Sequence, residues 1–431
     1  MTKSIVPALC ALALALAGCT EIETCSTDEL LCGTTCVAVK TDAANCGQCG
    51  QACPAGEACS GGVCTDCASA CGQGQHCEAG LCVADVYAAC FNTDQVRGAT
   101  AALQPVGTPL ATDDGPTAIA RLGGRLYVAN NISNSISEIT FEATGPTSTS
   151  GASSIKLGAG SNLAFLAANE PRLYGSNATA STLVAVDPTA KVVVDELPLT
   201  AAGEQGKDMS PAGIAFAGGK AYVALFGGFS PEPEVAQEIA VVNVSATPMQ
   251  VVKRIALQQL ADANGFARPY RLVAAADRVF VTLQNLNASY APAGHGKVAV
   301  IDPATDALDA QQPVIDLGQD CRNPSGLALN GSTLWVACGF FDFITTMSIQ
   351  SSGFLPIDLA TSPRAVGPIV PLTNEAPGSL AFCAGQGFAG DSSSGTVLRL
   401  DPVTREVSRN VVCAPATPSS FQLVADVECR P

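Results

Sequence analysis

From about Val86 onward the chain reads as apolar runs of four or five residues, separated by Gly, Pro, Asn and Asp. No 3.6-residue apolar period persists there, apart from a turn or two in "ALQQLADANG". Six segments share one pattern: "GPTAIARLGGRLYVANN", "GSNLAFLAANEPRLYGSN", "SPAGIAFAGGKAYVALF", "RPYRLVAAADRVFVTLQ", "NPSGLALNGSTLWVACG" and "APGSLAFCAGQGFAGDS". Each holds a turn residue, a short strand, a tight turn and a second strand. Most continue into a third and fourth strand, as in "STLVAVDPTAKVVVDELPL". The first strands start near Pro116, Asn162, Pro211, Pro269, Pro324 and Pro377, with a seventh start near Pro418, at intervals of 41 to 58 residues. Four-stranded units at that period predict an all-β fold, a β-propeller over residues 86–431, with the small residues of each first strand at the crowded axis. Seven blades are expected, six and eight being the alternatives. The chain ends after two strands of the last unit, and "DVYAACFNTDQVRGATAALQPV" supplies two strands with no first pair, so both ends should build one blade.

Asp-Pro pairs at 187–188, 302–303 and 401–402 fall between third and fourth strands. Pro fixes φ for the turn and the Asp carboxylate accepts from backbone N–H groups two residues on, so these are turns and not calcium ligands. Through "LYVANN", "AYVALF" and "LWVACG", followed by Asp-Pro turns, the region resembles the YVTN family of surface-layer β-propeller repeats. "LYGSN" and "GFAGDS" depart from that pattern. The resemblance implies the fold and no reaction.

The first part of the chain is different. Twelve cysteines lie between Cys25 and Cys82, with only six residues of the set Val, Ile, Leu, Met, Phe, Trp and Tyr. So little apolar surface cannot offset the entropy of ordering the segment, so covalent staples must hold residues 25–82. Cys46-x2-Cys49 and Cys64-x2-Cys67 have zinc-ribbon spacing. A C-x3-C-x5-C-x4-C rule starting at Cys49 recurs eighteen residues later at Cys67, which makes Cys64-x2-Cys67 a repeat junction. No metal is expected. The segment Cys32 to Cys64 resembles the Cys-rich repeats of the stigma-specific protein type, which implies an extracellular spacer or interaction module. Residues 1–18 have one cation, Lys3, then an apolar run from Ile5 to Ala17 too short to span a bilayer. Leu16-Ala17-Gly18-Cys19 resembles the lipobox of bacterial lipoproteins, which implies an acylated Cys19, a linker over 19–24 and a lipid bilayer as partner. The expected location is the outer membrane or cell surface, where disulfides persist.

Eighteen cysteines then remain, thirteen up to Cys90 and five beyond. Both counts are odd, so at least one bridge joins the two sets. Cys90 and Cys429 fall at the strands expected to close the ring and are predicted to pair. Cys321 pairs with Cys338 across the fifth unit, which leaves Cys383 with Cys413.

Net charge is −16 and aromatics make up 5% of the chain, which argues against a nucleic-acid surface. No cofactor motif stands out, and His295, the only imidazole of the propeller region, sits in a Gly-rich insertion. The mouth of the channel is the expected site, because loops between second and third strands and between blades gather there. Candidate ligand-binding residues are Asn130, Asn177, Arg268, Tyr270, Arg271, Arg322, Phe340 and Asp342. Arg and Tyr together in an acidic chain suit an anionic or glycan ligand, or a peptide or protein partner. The expected function is a membrane-anchored binding or scaffold protein. The alternative is an exported propeller enzyme of the lactonase or quinoprotein-like type.

Overall fold

A computed structural model describes residues 25, 29–33, 35–40, 42, 44–54, 57–60, 62–65, 75–78, 81–142, 145–158, 162–228, 237–275, 277–342, 348–414 and 422–430. The expectations for the signal segment and Cys19 lie outside them. The chain divides into a Cys-rich unit up to Val83, which includes Phe141–Pro146, and a larger unit over the rest.

In the Cys-rich unit three two-stranded hairpins follow one another: Leu30–Cys32 with Thr35–Val37, Ala58–Ser60 with Val63–Thr65, and His76–Glu78 with Leu81–Val83. The last two repeat at eighteen residues, with Cys59 opposite Cys64 and Cys77 opposite Cys82. Disulfides join Cys25 to Cys36, Cys32 to Cys49, Cys46 to Cys59 and Cys53 to Cys64. The zinc-ribbon cysteines Cys46, Cys49 and Cys64 therefore sit in three different bridges. The sulfurs of Cys46, Cys53 and Cys64 lie within 4.8 Å of one another, but all are already bonded to sulfur. Gly47 and Gly62 pack backbone to backbone, both at positive φ, where a side chain would meet the opposite main chain.

The larger unit is a seven-bladed propeller. Six blades are built in sequence, with innermost strands Pro116–Leu122, Leu163–Asn169, Pro211–Ala217, Pro269–Ala275, Pro324–Asn330 and Ala381–Cys383. The seventh blade joins both ends of the propeller region, in the order Val424–Cys429, Val86–Cys90, Gln95–Ala99 and Pro105–Ala111. The split is one strand from the C-terminal end and three from the N-terminal end, where the sequence suggested two and two. "QPVGTPLA" pairs as the outermost strand, and this moves the N-terminal set one place inward.

Burial explains why blades read so well as apolar runs. Second strands such as Arg125–Asn130 and Lys220–Leu225 are covered on both faces by neighbouring blades, so nearly every residue is buried. Outermost strands such as Val192–Pro198 alternate between exposed and half-buried positions. The core consists of such inter-blade layers. In one, Tyr222, Ile239 and Val241 of the third blade meet Val279, Val281 and Ala299 of the fourth. The Asp-Pro turns form as expected: Asp187 Oδ1 accepts from the Thr189 and Ala190 N–H groups, and Asp401 Oδ1 from those of Val403 and Thr404.

Three disulfides brace the propeller: Cys321–Cys338, Cys90–Cys413 and Cys383–Cys429. The expected Cys90–Cys429 and Cys383–Cys413 pairs do not form. The strands of Cys90 and Cys429 are neighbours, but antiparallel register sets Val424 opposite Cys90 and Cys429 opposite Val86. The two cysteines thus lie at opposite ends of the pairing. Cys429 faces the innermost strand of the sixth blade, and Cys90 meets the segment that follows that blade's outermost strand.

A recurrent irregularity prepares the site. In six blades the register of the innermost strand slips near its first residues: between Pro116 and Ala118, Leu163 and Phe165, Pro211 and Ile214, Pro269 and Leu272, Pro324 and Gly326, and Val424 and Asp426. Each is a β-bulge, which re-aims side chains and bends the strand. Together they form a ring around one end of the channel.

Candidate functional site: the channel mouth

The bulged residues line a cavity of about 440 Å³ at this mouth. Thr117, Ala164, Ala212, Tyr270, Arg271 and Ala425 come from the bulges of the first four blades and the closing strand. Phe91, Asn131, Ala178, Phe226 and Ser392 come from the loops between second and third strands. Asn162, Phe165, Ser210 and Gly378 complete most of the wall.

The fourth blade shows how the sequence builds the centre. Tyr270 and Arg271 together oppose the single residue Thr282. Buried Thr282 pins the bulge, because its hydroxyl oxygen accepts from the Arg271 N–H at 2.9 Å. On the neighbouring strand Gly213 is required: a Cβ there would sit 2.6 Å from the Tyr270 carbonyl oxygen and 3.1 Å from Arg271 Cα. The Tyr270 ring stands edge-on to Phe165 at 5.2 Å and to Phe226 at 6.2 Å. The Arg271 guanidinium lies over Phe165, 4.6 Å from the ring centre.

Electrostatics at the mouth rest on one cation and one carboxylate. Arg271 Nη2 reaches Asp426 Oδ1 of the seventh blade at 3.4 Å. The other Asp426 oxygen accepts from the Ile119 N–H at 2.9 Å. Asp426 is only 7% exposed, and burial pushes its carboxyl above the ordinary range, with Arg271 partly offsetting. Burial also pushes the Tyr270 hydroxyl up. Arg271 Nε is shielded from solvent and has no partner among the described residues. Two residues past Asp426, Glu428 is pushed up to about 7, first by burial and then by the Asp426 charge.

Of the residues singled out in the sequence, Tyr270 and Arg271 are at the cavity. Asn130 and Asn177 are one position short of wall residues Asn131 and Ala178. Both are buried, Asn130 against the hydroxyls of Ser135 and Ser137, Asn177 donating to Thr182 Oγ1 at 3.3 Å. Arg268 is 0% exposed and holds loops together. It donates to the Phe226 and Gly228 carbonyls and lies over the rings of Phe226 and Tyr290 at 4.7 and 5.0 Å. Burial lowers its affinity for a proton, and it is a structural residue. Arg322 is half-buried beside the Cys321–Cys338 bridge and away from the cavity wall. Phe340 pairs with Gln350, and Asp342 with Ser348, in a hairpin extension of the fifth blade, and Phe340 is not in the cavity wall. Phe91, Phe165 and Asp426 do line or close the mouth, yet each reads in the sequence as an ordinary strand or loop residue. The Pro that opens four of the innermost strands, at 116, 211, 269 and 324, was the available signal for the bulge. His295 bonds Asp316 at 2.8 Å in its insertion.

A model of the stigma-specific STIG1-like protein family matches residues 15–66. No curated protein matches the chain. Many solved structures share the fold. A protein from Lactobacillus plantarum is 13% identical, with a TM-score of 0.57, over 80% of this chain and 98% of that one. A putative 6-phosphogluconolactonase from Bacteroides uniformis is 12% identical, with a TM-score of 0.53, over 80% and 98%. Apo AztD from Citrobacter koseri is 9% identical, with a TM-score of 0.53, over 80% and 97%. At these identities the likeness carries the propeller architecture alone.

Proposed function

We propose that this chain is an exported lipoprotein, anchored through acylated Cys19, that binds its ligand at the channel mouth of the propeller. The export segment and lipobox at residues 1–19 support the anchoring, and the disulfides support an oxidising compartment. The observation that carries the binding role is the bulge at Tyr270 and Arg271. It places a loosely paired cation, backed by an aromatic face, in a concave site of small-molecule size. The test is a thermal-shift panel of anions, sugars and peptides on the full chain, wild type against Arg271→Ala. Ligands whose stabilisation vanishes in the variant support the mouth as the site; ligands that stabilise both equally argue against it.

The second reading is an exported propeller enzyme, and it draws on the likeness to the putative 6-phosphogluconolactonase from Bacteroides uniformis. Hydrolysis of 6-phosphogluconolactone by the purified chain, abolished in Arg271→Ala, would move the assignment to that reading.

A further inference from the structure

Resting on the mouth as the binding site, we infer that its ligand is a small organic monocarboxylate with an apolar body, which takes the terminal nitrogens of the loosely paired Arg271 guanidinium. The polar inventory of the wall decides this. Asn131 donates its amide to Asn162, Thr117 Oγ1 donates to the Leu163 carbonyl at 3.1 Å, and Ser392 Oγ to the Ala376 carbonyl at 2.7 Å. These groups are committed within the protein. The hydroxyls of Ser210 and Tyr270, the Asn162 amide nitrogen and Arg271 Nη1 remain, and among the described residues they have no hydrogen-bond partner. A neutral sugar presents many hydroxyls and needs a wall of matching donors and acceptors. A few free donors on the same wall as one cation suit a single anionic head.

The rest of the wall suits an apolar body. Phe91, Phe165, Phe226, Ala164, Ala178 and Ala212 supply rings and small aliphatic groups. Arg271 is also loosely paired. Its carboxylate contact is 3.4 Å, whereas Arg278 closes on Asp309 at 2.5 Å and on Asp277 at 2.6 Å. A ligand carboxylate can therefore join Asp426 at the guanidinium, while Asp426 keeps its bond from the Ile119 N–H. Asp426 also limits the charge that fits. One added negative charge shares the guanidinium with it, and a dianion would meet a buried like charge.

Isothermal titration of the full chain tests this with phenylacetate, a straight-chain series from acetate to decanoate, phenylacetamide and methyl glucoside. A monocarboxylate of the set should bind, at least about tenfold more weakly to Arg271→Ala and with intermediate strength to Arg271→Lys. Phenylacetamide should bind at least about tenfold more weakly than phenylacetate. Asp426→Asn should bind the acid more tightly. Circular dichroism establishes that each variant is folded. Equal binding of acid and amide overturns the inference, as does an acid affinity unchanged in Arg271→Ala, or binding of none of the acids. Binding of methyl glucoside that Arg271→Ala abolishes would overturn the ligand class while leaving the mouth as the site.

Discussion

The Cys90–Cys413 bridge should be the strongest single stabiliser of the propeller, and the reason is topological. The seventh blade is where strands from the two ends of the region pair, along Val424–Cys429 and Val86–Cys90. Without a covalent link, opening the ring there costs only that strand pairing and its side-chain contacts. The bridge closes a loop of 323 residues, while Cys383–Cys429 closes one of 46. In the chain-entropy treatment the first is worth about 6 kcal/mol and the second about 4 kcal/mol, so the difference is about 2 kcal/mol. The two loops interleave without shortening one another much, so each variant can be judged alone. Urea denaturation of Cys90→Ala/Cys413→Ala should show the larger loss, and Cys383→Ala/Cys429→Ala the smaller. Cys90 and Cys413 are also nearly fully buried, so the cavity left behind adds to the first figure. Cold, dilute samples of both variants should keep β-rich circular dichroism, since every inter-blade layer is retained. Equal losses, or a larger loss for the short-loop pair, would refute the ring-closure reasoning.

Gly213→Ala should cost about 1–3 kcal/mol by overpacking and weaken phenylacetate binding, because the new methyl meets the backbone of Tyr270 and Arg271; an unchanged thermal midpoint would contradict the close approach. Glu428→Gln should become more stable than the wild type as pH rises. Folding raises this carboxyl from 4.5 to about 7, so its favourable protonated form is lost as pH climbs through that value. The gap should open between pH 4.5 and about 7, reach no more than about 3 kcal/mol, and be absent below that window; urea midpoints across pH check it, and a gap that grows on acidification would refute it. Cys19→Ala should shift the protein from membranes to the soluble fraction, read by fractionation and acyl labelling; acylated variant protein in the membrane pellet would end the lipoprotein reading. Reductant should expose the Cys-rich unit to protease while chelator leaves it resistant, since eight of its cysteines are bonded to one another in four bridges; the reverse would restore a metal.

The propeller was legible because its layers impose a simple rule. Strands covered on both faces must be apolar throughout, and Asp-Pro turns mark where the third strand gives way to the fourth. Four-strand units follow from these two signals. The eighteen-residue hairpin repeat around Cys59 and Cys77 was legible for a similar reason, since spacing within a disulfide hairpin is set by the turn. Pairing between distant cysteines was less so. Adjacency of two strands does not give register, and a separation of four positions along the strand was enough to send Cys90 and Cys429 to other partners. The strand split of the seventh blade failed likewise, because "QPVGTPLA" carries too few consecutive apolar residues to announce a strand.

The site shows the same limit at the scale of one residue. Counting from strand ends placed Asn130 and Asn177 at the mouth, and the structure turns both inward and presents Asn131 and Ala178. A bulge has the opposite effect, because it lets two consecutive residues escape strict alternation. Tyr270 and Arg271 both line the cavity for that reason, although adjacent strand residues ordinarily face opposite sides. In an acidic chain where Arg254 and Arg278 close tightly on carboxylates, that extra residue leaves one guanidinium beside a carboxylate it does not fully satisfy. Thr282 is what holds it there. Thr282→Val removes the hydroxyl that accepts from the Arg271 N–H and leaves the side chain's volume almost unchanged. Stability should fall by about 1–2 kcal/mol, as expected for one buried hydrogen bond and its unpaired donor. Phenylacetate affinity should fall with it if bulge geometry sets the site. A variant that loses stability but binds as the wild type would show that Arg271 finds its place without the bulge, and the ring of bulges would then be a feature of the fold alone.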